Sequence, residues 1–222
     1  MRQDEEDLQF LSALKDLRMG TISAEKNDYL CSLSRELNES LLSVAVHIFF
    51  KRIAAQLYNL SVLQTLTGEY VHYEASKEGE TSDLKCQADD ILLLKPGCRV
   101  MLTWNKSSTL KNGSQGNFIG VEGGIPIVSF AGVRTKIHRE TWLKRDRNGN
   151  VIGSLTQYPL VLAYAITCHK SQGQTLRAAV VHCSQEFVSG LTYVATSRVR
   201  SSHHIQLVDF SPDFLLKPPK KY

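Results

Sequence analysis

The sequence has no apolar run long enough to cross a bilayer as a helix, which takes about 20 residues. The run Leu160-Val161-Leu162-Ala163-Tyr164-Ala165-Ile166 stops far short of that. A basic-then-apolar leader is also missing: Asp4-Glu5-Glu6-Asp7 stands where one would begin, so nothing directs the chain to secretion. The five cysteines, Cys31, Cys86, Cys98, Cys168 and Cys183, contain no CxxC pair. Their odd number argues for reduced thiols rather than a disulfide framework. A zinc site built from Cys168, His169, His182 and Cys183 is disfavoured, because neighbours in an extended strand point to opposite faces, and no metal is expected. There is no GxxxxGK[ST] loop and no acidic pair after an apolar strand, the devices that cradle phosphate and hold magnesium in many nucleotide hydrolases.

What is present is globular. The 222 residues, 42% hydrophobic and 22% charged, suffice for one or two domains with a real core and exclude disorder or a fibrous repeat. Net charge is only +4, but between Lys95 and Arg147 ten Lys or Arg face Glu122, Glu140 and Asp146, a balance of +7 that leaves −3 elsewhere. A basic segment of this kind fits a phosphate backbone, and on charge alone it fits a solvated surface equally well.

Asp4 to Met19 reads as a helix capped by Asp4 and closed by Gly20, burying Leu8, Phe10, Leu11, Leu14 and Leu17. Ser23 caps a second helix running to about Leu37, with Leu30, Leu33 and Leu37 on one stripe. Alternation from Leu42 to Ile48 predicts a strand, and Arg52 to Leu66 a helix that groups Ile53, Leu57 and Leu60. Strand followed by helix is the unit of a parallel sheet. Ser76 to Gln87 is polar and without period, an exposed connection. From Leu92 the texture changes to short strands and glycine turns: Arg99 to Trp104, Gln115 to Val121, Ile125 to Phe130, Lys136 to Trp142 and Val151 to Leu155. Asn112-Gly113 suits a tight hairpin turn, and a small antiparallel barrel is the natural reading. Strands are expected at Leu160 to Ile166, Ala178 to Cys183 and His204 to Phe210, with a helical turn from Gly190 to Ser197.

The polar loop Thr167, His169, Lys170, Ser171, Gln172, Gly173, Gln174, Thr175 follows the first of those strands. Ligands of open α/β sheets sit at the carboxyl ends of strands, although a solvated turn would look the same by composition.

The string Ala165-Ile166-Thr167-Cys168-His169-Lys170-Ser171-Gln172-Gly173-Gln174-Thr175-Leu176 resembles motif V of superfamily-one DNA helicases, in the branch of the PIF-family and RecD-like enzymes. Tyr193-Val194-Ala195-Thr196-Ser197-Arg198-Val199-Arg200 resembles motif VI, and Arg2-Gln3-Asp4 is similar to the end of motif IV. The order and separation fit the C-terminal half of an ATP-dependent DNA helicase. The resemblance implies an α/β fold: a second RecA-like, P-loop NTPase-type domain with a parallel sheet, carrying an inserted small antiparallel β-barrel. Its implied divisions are 1–95 for the first part of that domain, 96–157 for the barrel region, 158–211 for the remainder with motifs V and VI, and 212–222 for a basic tail.

By the same resemblance Arg2 and Arg198 reach into an ATP cleft between two RecA-like domains, with Gln3, Gln172 and Gly173 close to the nucleotide. Thr167, His169, Lys170, Ser171 and Asn112 would face single-stranded DNA. ATP and Mg2+ belong to the complete enzyme, the magnesium ligands lying outside this chain. The partners implied are single-stranded DNA and an N-terminal RecA-like domain, in cis or in trans, and the implied movement is five-prime to three-prime. The implied setting is intracellular, the nucleus or mitochondrion in a eukaryote. The alternative is a nucleic-acid-binding module derived from a helicase, with no catalysis of its own.

Overall fold

The computed structural model describes residues 3–82, 84 and 89–219. It is an α/β fold of two compact units, one formed by residues 1–58 with 164–222 and the other by 59–163. In chain order the first unit begins with α1 (Leu8–Met19), α2 (Ala24–Ser32), α3 (Glu39–Leu42) and β1 (Val46–Phe49), and the division falls within α4 (Arg52–Thr65).

Capping decides where these helices start. Asp7, not Asp4, caps α1, its carboxylate accepting the Phe10 N–H at 3.3 Å. The same carboxylate accepts bonds from Ser201 and Ser202, so tertiary partners select this acid among its neighbours. The buried face is Phe10, Ala13, Leu14 and Leu17, while Leu8 lies outside at 72% exposure. Gly20 ends the helix in the left-handed conformation (φ 63°), and a Cβ there would meet the Leu216 carbonyl oxygen at 2.6 Å. Ser23 caps α2 as expected, but that helix stops at Ser32. Leu33 and Leu37 are still buried; the Leu33 carbonyl accepts from Leu207 N–H instead of continuing the helix.

The strand expected over Leu42 to Ile48 is shorter and later. Asn38 accepts the Leu41 N–H and nucleates α3, so local capping overrides the alternation and β1 begins only at Val46. The apolar grouping on α4 is also reversed. Ile53 and Leu57 are exposed, whereas Ala55 and Leu63 are buried with Tyr58 and Val62 half-buried on the same stripe.

The second unit is antiparallel. It contains β2 (Val71–Glu74), β3 (Ser76–Gly79), β4 (Ile91–Leu94), β5 (Arg99–Leu102), β6 (Gln115–Glu122), β7 (Ile125–Phe130), β8 (Val133–Lys136), β9 (Glu140–Arg145), β10 (Val151–Gln157) and β11 (Leu160–Leu162). These form a five-stranded sheet in the order β11-β5-β6-β7-β8, a three-stranded sheet β3-β10-β9 and a pair β2-β4. The segment read as an exposed connection from Ser76 carries β3: its four residues are exposed, which erased any apolar signal, but their backbone pairs with β10. Gly123-Gly124, with φ of 59° and 82°, and Ala131-Gly132, with φ of 48° and 87°, make tight hairpin turns, whereas Asn112-Gly113 sits within a longer loop. Phe118, Val100, Met101, Val128 and Ile137 fill the core. Gln157 is fully buried and satisfied, donating to the Tyr73 carbonyl at 3.0 Å and accepting from Tyr158 N–H at 2.9 Å.

The chain then returns to the first unit with β12 (Ala165–Thr167), α5 (Cys168–Ser171), β13 (Ala179–His182), α6 (Leu191–Thr196) and β14 (Ile205–Val208). The run expected as one strand from Leu160 to Ile166 is therefore two. Its first half pairs antiparallel with β5, and its second half pairs parallel with β1. One apolar run serves two cores, because composition marks burial but not the partner. The parallel sheet has the order β12-β1-β13-β14. On it, Tyr58 OH lies 2.7 Å from His47 Nε2, and His47 Nδ1 lies 2.8 Å from His182 Nε2. Burial pushes the His182 pKa below its usual value, outweighing the nearby Asp209 carboxylate.

Gly153 tests the tightness of the second unit. A Cβ at this position would run into the Glu80 backbone, beside a register shift in the β9–β10 pairing. Gly153→Ala is expected to destabilise the fold by about 2 kcal/mol. The check is the urea midpoint, which should fall with an unchanged slope.

Candidate functional site

The carboxyl end of β12 is Thr167, whose hydroxyl accepts the Lys170 N–H at 3.3 Å and so caps the single turn of α5. A hydroxyl that accepts in this way still has a proton to donate. His169 is exposed and Lys170 half-buried. Ser171 is buried, and its hydroxyl donates to the Cys168 carbonyl at 2.7 Å, inside the turn. Gln172 and Gly173 are exposed, and Gly173 takes φ 85°. Nothing lies within 4 Å of where a Cβ would stand at Gly173, so the backbone conformation rather than crowding calls for glycine. The loop ends on a bond from Leu176 N–H to the Arg198 carbonyl at 2.9 Å, which joins the motif V stretch directly to motif VI.

Arg198 is 7% exposed. Its Nε donates to the Val194 carbonyl at 2.6 Å and its Nη2 to Ser197 Oγ at 2.7 Å. The guanidinium thus covers one carbonyl and one hydroxyl at the end of α6, where carbonyls run out of helical partners. Beside it, the residues before α1 run along residues 197–202. Gln3 Nε2 donates to the Ser197 carbonyl at 2.9 Å, Asp4 N–H donates to the Arg200 carbonyl at 2.8 Å, and Asp7 accepts the Ser202 N–H at 2.8 Å. Gln3, the motif V loop and Arg198 are therefore held in one unit. Arg2 lies outside the described residues.

Asn112 belongs to the other unit. It is exposed, its N–H donating to Asn105 Oδ1 at 2.9 Å, on a loop that also exposes Lys106 and Lys111. Much of the basic excess around it is engaged internally. Arg134 and Lys136 pair with Glu122 at 2.9 and 3.3 Å, and Lys95 is buried with its ammonium donating to the Leu66 carbonyl.

Glu186 is a residue that motif reading missed. It is 3% exposed, and its carboxylate accepts N–H bonds from Thr192 at 2.7 Å, Leu216 at 2.9 Å and Gly190 at 3.2 Å. The only hint was a lone acid shortly ahead of a short helix, where negative charge meets unpaired N–H groups. Cys168 Sγ contacts the Leu191 carbonyl at 3.2 Å and ties α5 to α6. Burial pushes its thiol up to about 12, with Arg198 lowering and Glu186 raising it, so it is no nucleophile at neutral pH.

No family model matches the sequence. A human ATP-dependent DNA helicase PIF1 is 35% identical over 217 residues, covering 93% of this chain and 34% of the relative. The crystal structure of a Pif1 helicase from Candida albicans superposes with a TM-score of 0.84 at 28% identity, covering 98% of this chain and 57% of that one. A Bacteroides Pif1 helicase in complex with ADP-AlF3 and ssDNA gives 0.75 at 28% identity, over 98% of this chain and 52% of that one. The fold thus matches that of solved DNA helicases. More narrowly, the chain is homologous to the PIF1 ATP-dependent DNA helicases over 93% of its length. It spans about a third of the human relative.

Asp7 gives the acid dependence of this region. Burial alone would raise its pKa, but bonds from the Ser202 and Ser201 groups and the Phe10 N–H outweigh that and hold the carboxyl below its ordinary value. A depressed folded pKa stabilises the fold above the unfolded value, near 3.8, and that contribution is lost as pH falls through the folded one. Asp7→Asn is expected to lower the melting temperature at pH 7 and to flatten its decline below about pH 4. Thermal melts of both proteins from pH 7 to pH 2.5 check this.

Proposed function

We propose that this chain is the C-terminal part of an ATP-dependent DNA helicase. In this reading the first unit is the second RecA-like domain, and region 96–157 is its inserted barrel. The observation that carries the proposal is the hydrogen-bonded continuity among Gln3, the loop ending at Leu176, and Arg198. A cleft that couples ATP to DNA needs its phosphate-sensing and strand-holding residues on one rigid body, and this network supplies one.

Arg198 is assigned to the charge that develops on the transferring phosphoryl group, with Arg2 beside it and Gln3, Gln172 and Gly173 lining the nucleotide. On closure the guanidinium exchanges the Val194 and Ser197 acceptors for phosphate oxygens, which its planar fork meets two at a time. Thr167, His169 and Lys170 hold the strand on the first unit, and Asn112, beside the exposed Lys106 and Lys111, is assigned a DNA contact of its own on the second. Ser171 supports the turn from inside. Among the described residues no three His, Cys, Asp or Glu side chains converge to hold a metal ion. Because the sequence carries no GxxxxGK[ST] loop and no acidic pair after an apolar strand, magnesium and the phosphate loop are assigned to an N-terminal RecA-like partner, and the chain alone should turn over no ATP. Movement along the strand is five-prime to three-prime in this reading. A second reading, a binding module without catalysis, draws on the internal bonds that already occupy Arg198.

The two readings part in a chain supplied with a phosphate-loop domain. Arg198→Ala should lower ATP turnover by about 10²-fold while single-stranded DNA binding stays close to the parent. Arg198→Lys should fail to rescue the rate, since a point charge lacks the fork. His169→Ala should loosen DNA and spare most basal turnover. An Arg198→Ala protein that is folded by circular dichroism and hydrolyses ATP at the parental rate would leave the binding-module reading standing.

A further inference from the structure

Phe187 is an aromatic residue that the helicase motifs leave without a task. It is 53% exposed, yet the turn beneath it is anchored. The preceding residue is Glu186, whose buried carboxylate collects the N–H groups of Gly190, Thr192 and Leu216, and whose own N–H donates to the Phe214 carbonyl at 2.9 Å. A large ring held in water on a fixed turn gives the fold little, because burial is what makes such a ring stabilising.

Across from it stands the ring of His169, 6.1 Å away between centroids and tilted by 32°. Its turn is fixed too, by the Thr167 cap and by the Cys168 contact with Leu191. At that separation the two rings do not stack on each other, and both remain exposed. Phe187 and Val188 are both about half exposed, and their chain neighbours Ser184, Gln185 and Ser189 are polar. One exposed aromatic face is matched by the π-face of a single nucleobase.

We infer that Phe187, together with His169, forms a stacking platform for a base of the bound single strand. This rests on the helicase reading and adds a base contact to the backbone contacts proposed above. Because every base has a π-face, such a platform holds the strand without reading its sequence, as a translocating protein requires.

The test compares a fluorescein-labelled oligothymidylate with an abasic strand of equal length, titrated with the full chain at low salt. The parent should prefer the oligothymidylate. Phe187→Leu should weaken that binding by about 10-fold and leave the abasic strand unchanged. Phe187→Trp should bind like the parent, with indole emission quenched by the oligothymidylate and not by the abasic strand. Phe187→Leu that binds both strands as the parent does, or weakens both equally, overturns the platform while leaving the helicase reading intact. A parent that binds neither strand overturns both.

Discussion

The parallel pairing of β1 on both edges is the constraint on which the candidate site depends. His47, Ile48 and Phe49 pair with β12 on one side, all of Val46–Phe49 pairs with β13 on the other, and Phe49 stands in register with both Thr167 and His182. Parallel partners end at the same edge, so the turn after β12 and the loop after β13 emerge side by side. Sequence neighbours alone would never bring His169 near Phe187. The pairing also places His47 and His182 within 2.8 Å, where one ring must donate and the other accept. Burial lowers the His182 pKa, the direction that favours a neutral pair.

The loops that emerge at this edge have few residues of their own to hold them, and three polar groups do that work. Asp7 ties the start of α1 to Ser201 and Ser202, Glu186 gathers three N–H groups, and Arg198 closes the end of α6. Each is an ionisable group held by several hydrogen bonds, which for the buried Glu186 and Arg198 offsets part of the cost of burying a charge. They share a consequence for function. Bonds that fix the loops also bind Gln3, the motif V turn and motif VI into one body, which is the rigidity that the proposed coupling of nucleotide to strand requires.

Much of this was legible in the sequence, and the exceptions have physical causes. The turn after Ile166, the strand at Ala179, the turn at Leu191 and the antiparallel texture after Leu92 were readable from apolar runs and glycines. The family resemblance singled out Thr167, His169 and Arg198 as candidates, and the homology to PIF1 helicases agrees with that resemblance. Among the expectations that were displaced, three show forces that composition does not encode. The cap moved from Asp4 to Asp7 because of serines nearly two hundred positions away. β1 started late because Asn38 nucleates a turn. The apolar run through Ala163 divided because each half found a different sheet. Glu186 and Phe187 escaped notice because a lone acid and a lone aromatic carry no pattern, and only the fold shows one fully buried and the other held out.

The central claim is that the turn at 167–174 and the loop at 185–190 form a single strand-holding edge. Amide hydrogen exchange of the chain with and without single-stranded DNA tests it most directly. The account predicts that DNA slows exchange in both segments together, with residues 24–32 of α2 unchanged. Protection confined to other parts of the chain, or DNA binding with no change in either segment, would contradict it.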